Sequence, residues 1–348
     1  MINDNIFKLL SKKRNAIMGI ATISVLFFHH VFYQMFNDGT TLRKIGLFFI
    51  ENGNLGVDYF FFLSGFGLLY SIENNSVKKF YYNRLKKIII PYTFSVVVYA
   101  LNEEITLLNA IKGYIGYSFI FENAYATPWF IPAIVIIYLF FPLYYKFFKK
   151  QNNKCFFTIC FLIVWLLLSI LFNNLIRSDL YGLITRVPLF LVGVLFGYYS
   201  KYGYSNGKNI KITNIFIIVS SVIMLVASIY FLYLNDCDDI ILPVLLTKYY
   251  LPSIVLVISS SIVYVIIFSN KNGFISRIND FFSFVGNYSL EIYCLEDFSK
   301  NYIYILCPYI SNCFIKNIII FIEILISVYI FKYINNIIIK KIETKLNV

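Results

Sequence analysis

Residues 55–71 read LGVDYFFFLSGFGLLYS, a run in which Asp58 is the only charged side chain. A helix of this length rises about 26 Å, close to the thickness of the hydrocarbon core of a bilayer. A helix that is apolar on all sides is buried in a large core or in lipid, whereas a surface helix of a soluble protein is apolar on one side only. The stretch therefore predicts a membrane-spanning segment.

The composition of the whole chain agrees with this interpretation. Of its 348 residues, 59% are hydrophobic and 14% are charged, and the mean hydropathy is +0.72. A soluble domain keeps about a quarter of its residues charged. The formal charge of +12 does not indicate nucleic-acid binding, because the Lys and Arg residues occur in short clusters between apolar runs. The six cysteines lack paired metal-binding spacing, so no metal site is predicted.

Ten apolar runs predict an all-α, polytopic bundle of about ten transmembrane helices. The runs are 15–36, 55–71, 88–102, 128–148, 155–173, 183–200, 212–234, 243–269, 281–297 and 314–339. A further stretch, 105–121, contains Lys112 and two glycines, and we expect it to be interfacial or re-entrant. No soluble domain interrupts the pattern, which predicts one membrane domain over 1–348.

The distribution of positive charge predicts the orientation of this bundle. Of the 30 Lys and Arg residues, 22 fall in the two ends and in alternate connections, seven fall in the opposite connections, and Arg186 lies within an apolar run. Cytoplasmic loops carry the excess of Lys and Arg. We therefore predict a multi-pass protein of the cytoplasmic membrane with both ends in the cytoplasm.

With this topology, several polar groups inside apolar runs fall in the outer half of the membrane, and Glu291 lies near its middle. An ionisable side chain at membrane depth is a functional candidate by default, because it is costly unless it is paired or hydrated. The residues are His29, His30, Asp58, Trp129, Arg186, Glu291 and Glu296. The clustering predicts one polar site near the outer face.

Histidine is the side chain best suited to proton transfer near neutral pH. Asp58 lies at a matching depth, where its carboxylate is suited to orient the imidazole, and Arg186 is suited to bind a phosphate or an oxyanion. The alternatives are that Asp58 and Arg186 form a structural ion pair and that the histidines only make helix contacts. His29 and His30 point about 100° apart on a helix, so they make a poor metal chelate.

Two small-residue patterns have structural explanations. Gly193 and Gly197 form G-x-x-x-G, which predicts close helix packing. Ser64 lacks the context of a nucleophile elbow, so we do not expect it to be a nucleophile.

Six motifs resemble, in the same order, those of the acyltransferase-3 family of integral membrane acyltransferases. Residues 56–66, GVDYFFFLSGF, are similar to the family signature G-V-D-x-F-F-x-L-S-G-F, a highly specific match. The other matching positions are the opening helix from Arg14 to His29, then Phe80, Arg84, Lys87, Pro91 and Tyr92, then Trp129, Phe130, Tyr138 and Pro142, then 186–190 with Gly193, and finally 286–293.

The sequence departs from the family pattern at two positions. Met18 stands where the typical opening helix has an arginine, eleven residues before the histidine, and Arg14 is the nearest cation. Glu296 stands where the late motif commonly has a histidine. The frame of the opening motif matches His29, not His30, to the essential histidine of the family.

The resemblance implies transfer of an acyl group, most simply acetyl from acetyl-CoA, to a hydroxyl of a cell-surface or exported carbohydrate. His29 is then the base or a covalent acyl carrier, with Asp58 and Arg186 as catalytic partners. We expect Arg84, Lys86 and Lys87, together with Arg14, to attract the CoA phosphates, although positive-inside charge alone accounts for Lys86 and Lys87. We expect acceptor contacts from Trp129, Glu296 and His30, and no permanently bound cofactor.

Two other functions remain open at this stage. A transporter or flippase of lipid-linked sugars suits the number of spans, but the sequence shows no inverted repeat and no pair of broken helices. A polysaccharide polymerase favours a large outer loop, which the predicted topology does not contain.

Overall fold

The computed structural model describes residues 5–29, 40–102, 105–122, 129–204, 210–234, 241–269, 273–296 and 313–346. Helices make up 90% of the structure, and these ranges contain no strand. The all-α prediction is therefore confirmed.

The helices follow one another along the chain with short connections. They are α1 (Ile6–His29), α2 (Thr41–Glu51), α3 (Leu55–Glu73), α4 (Val77–Asn102), α5 (Leu107–Tyr114), α6 (Tyr117–Phe121), α7 (Phe130–Lys150), α8 (Lys154–Leu171), α9 (Ser178–Ile184), α10 (Val187–Tyr202), α11 (Ile210–Leu234), α12 (Leu242–Ile267), α13 (Gly273–Asn287), α14 (289–296) and α15 (Cys313–Leu346). A 3₁₀ turn covers Asn173–Leu175, and a π-helical segment, Leu245–Tyr250, lies within α12.

Within the described ranges, seven helical segments are long and apolar enough to cross a membrane. They are Leu55–Glu73, Phe130–Lys150, Lys154–Leu171, Leu180–Tyr202, Ile210–Tyr233, Leu242–Ile267 and Ile318–Lys341, and each coincides with a predicted apolar run. The chain is a multi-pass membrane protein.

The other three predicted spans do not qualify on the described residues. Runs 15–36 and 281–297 extend beyond those residues. Four cations occupy the first half of α1. The run 88–102 contains Pro91 and forms only the second part of α4, after a basic first part. The count of ten spans and the cytoplasmic location of both ends stay predictions.

The stretch 105–121 forms two short helices, α5 and α6, neither of which is long enough to span a bilayer. Gly116 separates them with a φ of +76°, a backbone conformation that glycine adopts without strain. The Nζ atom of Lys112 lies 2.6 Å from Oε1 of Glu122 and links the two ends of the unit. This geometry agrees with the prediction that the stretch does not cross the membrane.

Glycines allow the central helices to pack with their backbones in contact. A Cβ atom added at Gly65 or at Gly193 would lie 2.0 Å from a backbone oxygen of the opposite helix, so α3 and α10 contact each other reciprocally. Gly19 and Gly286 do the same between α1 and α13, where the corresponding distances are 1.9 and 1.8 Å. The predicted packing role of Gly193 is confirmed, and helices α1, α3, α10 and α13 form the centre of the bundle.

Candidate active site

His29 and Glu296 form a hydrogen-bonded pair at the ends of two neighbouring helices. The Nδ1 atom of His29 lies 2.7 Å from Oε1 of Glu296. The carboxylate is buried, with 3% of its side chain exposed, whereas 30% of the imidazole is exposed. The Nδ1 edge of the histidine ring thus contacts an acid, while part of the ring remains accessible.

The register between α1 and α13 explains why these two residues meet. Gly19 contacts Gly286, and the two helical segments run in the same direction. His29 lies ten residues after Gly19, and Glu296 lies ten residues after Gly286. Ten residues of helix rise by about 15 Å, and the segment from Gly286 to Glu296 is helical except for a turn at Tyr288. The two side chains therefore arrive at the same depth.

Asp58 does not take the position that the sequence analysis gave it. Its Oδ1 atom lies 2.6 Å from Nε of Arg186, and the two side chains are 0% and 4% exposed. The acid beside His29 is Glu296, so the predicted pairing of Asp58 with His29 is corrected. The physical reason is burial: a carboxylate removed from water requires a cation, and Arg186 on the adjoining helix supplies a permanent one.

Aromatic rings enclose the Asp58–Arg186 pair. The guanidinium carbon of Arg186 lies 5.1 Å from the ring centroids of both Trp129 and Tyr250. Its NH1 nitrogen donates hydrogen bonds to the Gly182 carbonyl at 3.2 Å and to the Tyr250 hydroxyl at 3.0 Å. The structural alternative of the sequence analysis, an ion pair between Asp58 and Arg186, is what the structure contains.

A cavity of about 160 Å³ lies deeper in the bundle. Its lining combines apolar and aromatic side chains with three of the four cations that were expected to attract the CoA phosphates, and Lys86 is the one that is absent from it. The lining residues are Arg14, Met18, Phe60, Ser64, Arg84, Lys87, Ile88, Phe130, Ile134, Tyr138, Ser289, Leu290 and Tyr293. The structure thus brings Arg14, Arg84 and Lys87 together from α1 and α4.

The backbone of α3 holds the guanidinium of Arg14 in this cavity. The Nε atom of Arg14 donates to the Leu63 carbonyl at 3.1 Å. A Cβ atom at Gly67 would lie 2.6 Å from the guanidinium, so the glycine provides the space that Arg14 occupies. The Nε atom of Arg84 lies 3.3 Å from the Ser71 hydroxyl. Within the described part of the chain, the terminal nitrogens of both arginines have no hydrogen-bond acceptor, which leaves them able to bind a ligand.

Lys87 adds a third positive charge at the start of the run 88–102. Burial lowers the pKa of its ammonium group from the ordinary value, and the neighbouring charges of Arg84, Lys86 and Arg14 lower it further. Mutual repulsion of this kind is relieved by a bound anion. The cation group therefore has the electrostatics of a phosphate or carboxylate site.

Comparison with known proteins identifies the family. The model of the family Acyl_transf_3, described as an acyltransferase domain, matches residues 15–334 of the 348. The chain belongs to the acyltransferase-3 family. It is a membrane acyltransferase, and the match includes both His29 and Glu296. Neither a curated protein nor a solved structure matches the chain.

Three aromatic side chains of the acyltransferase pack against one another in the wall of the cavity. The ring centroid of Phe130 lies 5.6 Å from that of Phe60 and 5.3 Å from that of Tyr293. All three residues line the cavity and are buried. Tyr293 precedes Glu296 by three residues, so the two side chains share a face of α14. We call Phe60, Phe130 and Tyr293 the aromatic layer.

The sequence analysis missed some of these functional candidates. It placed Glu296 among acceptor contacts, although the equal spacing of Gly19–His29 and Gly286–Glu296 is a signal for the pair. Tyr250 carries no signal that separates it from the many other aromatic residues, whereas Phe60, Phe130 and Tyr293 lie in matched motifs but received no role from the sequence. His30 lies outside the described residues, and Ser64 lines the cavity.

Proposed function

We propose that the protein transfers a short acyl group, acetyl in the simplest case, from acyl-CoA to a hydroxyl of a cell-surface or exported carbohydrate. The observation that carries this proposal is the arrangement along α1. The partly exposed imidazole of His29 lies beside the Glu296 carboxylate at the end of α1. Arg14 lies fifteen residues earlier on α1 and lines a cavity with two further cations. Fifteen residues of helix span about 22 Å.

The cation group suits the phosphate end of CoA. Arginine binds phosphate through a planar set of donors, and lysine binds it as a point charge. By the predicted topology, these cations face the cytoplasm, where acyl-CoA is made. The apolar remainder of the lining, including Met18 and Ile134, suits the pantetheine arm.

His29 is the general base in this proposal. An alcohol is a weak nucleophile until its proton is removed. The acceptor hydroxyl oxygen attacks the thioester carbonyl carbon while its proton passes to the His29 ring. The tetrahedral intermediate then breaks its C–S bond, and the ring returns the proton to the sulfur of CoA.

The two ends of this reaction lie at different depths. With ten spans and both ends in the cytoplasm, the cations face inward and His29 faces outward. The proposal requires the packed rings of the aromatic layer, whose centroids are 5.3–5.6 Å apart, to separate so that the thioester arm reaches His29. This arrangement matches a donor on the cytoplasmic side of the membrane and an acceptor on its outer side.

A test measures acetyl groups on the surface carbohydrate. A strain that lacks the gene, complemented with wild type or with His29→Ala, supplies purified glycan for mass analysis. We expect acetyl groups with the wild type, none with His29→Ala at equal protein level, and intact polymer in every strain. Loss of the polymer itself points to transport or polymerisation and contradicts the proposal, as does full acetylation by His29→Ala.

A further inference from the structure

We propose that Glu296 is the positioning residue of the reaction, because it holds the proton on Nδ1 of His29 and leaves Nε2 free to accept the proton of the substrate hydroxyl. This inference rests on the proposed function and assigns a role within the same site.

The hydrogen bond fixes which ring nitrogen is basic. An ionised carboxylate only accepts hydrogen bonds, so the nitrogen that contacts it carries the proton. The contact is to Nδ1, at 2.7 Å. In a neutral imidazole the other nitrogen then has the lone pair. Glu296 is therefore suited to select the tautomer that a base at Nε2 requires.

The exposure of the two partners supports this assignment. Glu296 is 3% exposed and His29 is 30% exposed, so the acid lies behind the ring, away from the accessible side. When the ring takes up a proton, the buried carboxylate lies next to the imidazolium and stabilises its charge. A carboxylate that itself contacted the acceptor would need the reverse distribution of exposure.

The surroundings hold Glu296 in place. The side-chain amides of Asn15 and Asn287 are joined by a 2.7 Å hydrogen bond beside the Gly19–Gly286 contact. At the end of α13, Lys332 bonds the Asn287 carbonyl. These contacts fix the register of α14 against α1, and a fixed register keeps the acid aligned with the imidazole.

The second acid of the region is already engaged. Asp58 neutralises Arg186 and is fully buried. Using it for His29 would leave the guanidinium without a counter-ion in an apolar setting, which is costly. Among the acids of the described residues, Glu296 is the one that contacts His29.

The kinetic test compares purified Glu296→Gln, Glu296→Asp, Glu291→Gln and His29→Ala enzymes. Glu291 is the matched control, since it is a largely buried acid on the same helix that pairs with Lys332 and not with histidine. For Glu296→Gln we expect kcat to fall by at least about 100-fold with KM for acetyl-CoA within about twofold of wild type. Glu296→Asp recovers at least about tenfold of that loss, and Glu291→Gln stays within about threefold of wild type.

A spectroscopic measurement removes the dependence on folding of the variants. The chain has two histidines, so His30→Gln with a tag that lacks histidine leaves one imidazole for ¹⁵N NMR. We expect the Nδ1–H tautomer at neutral pH. The Nε2–H tautomer overturns the inference. So does a folded Glu296→Gln enzyme with near-normal kcat, or equal losses in Glu296→Gln and Glu291→Gln.

Failure of the inference is distinguishable from failure of the proposed function. If His29→Ala is inactive while Glu296→Gln is active, only the positioning role is wrong. If the wild-type enzyme transfers no acetyl group from acetyl-CoA to any carbohydrate hydroxyl, or if His29→Ala stays active, the proposed function itself is wrong.

Discussion

Two acid–base pairs lie in the same region of this molecule and differ in what they are able to do. His29 and Glu296 are 2.7 Å apart with the imidazole 30% exposed, whereas Asp58 and Arg186 are 2.6 Å apart with both side chains almost fully buried. The two pairs therefore have nearly the same distance between their paired atoms, but only the first contains a partly exposed side chain. A proton-transfer group has to meet its substrate, and only the histidine pair satisfies this condition.

The chemistry of the partners leads to the same distinction. Arginine stays protonated under all ordinary conditions, so the Asp58–Arg186 pair does not exchange protons. It links α3 to the residue that precedes α10, between the rings of Trp129 and Tyr250. We propose that exposure separates an intramembrane charge that takes part in the chemistry from one that holds helices together.

The largest expected effect comes from a variant that removes His29 from the His29–Glu296 pair. His29→Ala lowers kcat by about 10²–10⁴-fold, because the general base is lost. The melting temperature in detergent stays near that of wild type, since the imidazole is partly exposed. Acetyl transfer from labelled acetyl-CoA by the purified enzyme measures the effect.

The neighbouring histidine provides the control for this variant. If the predicted helix over 15–36 continues through His30, that side chain points about 100° away from His29. His30→Ala therefore costs less than about tenfold in kcat. A larger loss for His30→Ala than for His29→Ala contradicts the assignment.

The second effect tests the architectural pair. Asp58→Asn or Arg186→Met leaves one buried charge without its partner and lowers the free energy of unfolding by about 3–5 kcal/mol. Asp58→Leu combined with Arg186→Met removes both charges and recovers most of that loss. Thermal unfolding in detergent, together with kcat per folded molecule, measures both quantities.

A different outcome would assign a catalytic role to the Asp58–Arg186 pair. If the double variant is stable yet its kcat falls as far as that of His29→Ala, then Asp58 and Arg186 act in catalysis, as the sequence analysis proposed, and the distinction by exposure is wrong.

The third effect concerns donor binding, away from both pairs. Arg84→Ala raises KM for acetyl-CoA by about tenfold, the loss expected for one hydrogen bond to a charged group, with kcat nearly unchanged. Lys86→Ala is the control, because Lys86 is absent from the cavity lining and lies 4.9 Å from the Tyr82 ring centroid. Equal effects of the two variants would indicate general positive charge and not a site.

The smallest effect concerns the aromatic ring of Trp129 beside the Asp58–Arg186 pair. Trp129→Ala removes one ring from the Arg186 guanidinium and destabilises the protein by about 0.5–2 kcal/mol, whereas Trp129→Phe keeps a ring there and costs less. Melting temperatures measure the difference. A large rise in KM for the carbohydrate at unchanged stability supports instead the predicted contact of Trp129 with the acceptor.

Part of the fold and of the site follows from local patterns. Seven predicted apolar runs coincide with helices able to span a membrane, because the preference for lipid depends on the composition of each segment alone. Of the four cations that were expected to attract the CoA phosphates, Arg14, Arg84 and Lys87 line one cavity and Lys86 does not. Gly193 was predicted to pack helices closely, and it does so against α3.

The partner of His29 did not follow from such patterns. Depth and residue type made Asp58 and Glu296 equally suitable, since both lie in the outer half of the predicted bundle. The choice depends on which helix lies beside α1 and in which register. That register is set by the Gly19–Gly286 contact, between residues far apart in the chain.

The sequence by itself determined that this chain is a membrane bundle with an acyltransferase signature, because hydrophobicity and motif spacing are properties of short segments. Only the tertiary structure decided which acid serves the imidazole and which is sealed around an arginine. His29 and Glu296 are 267 positions apart. Contacts over that separation arise from backbone packing between helices, and the local sequence at either end carries little record of them.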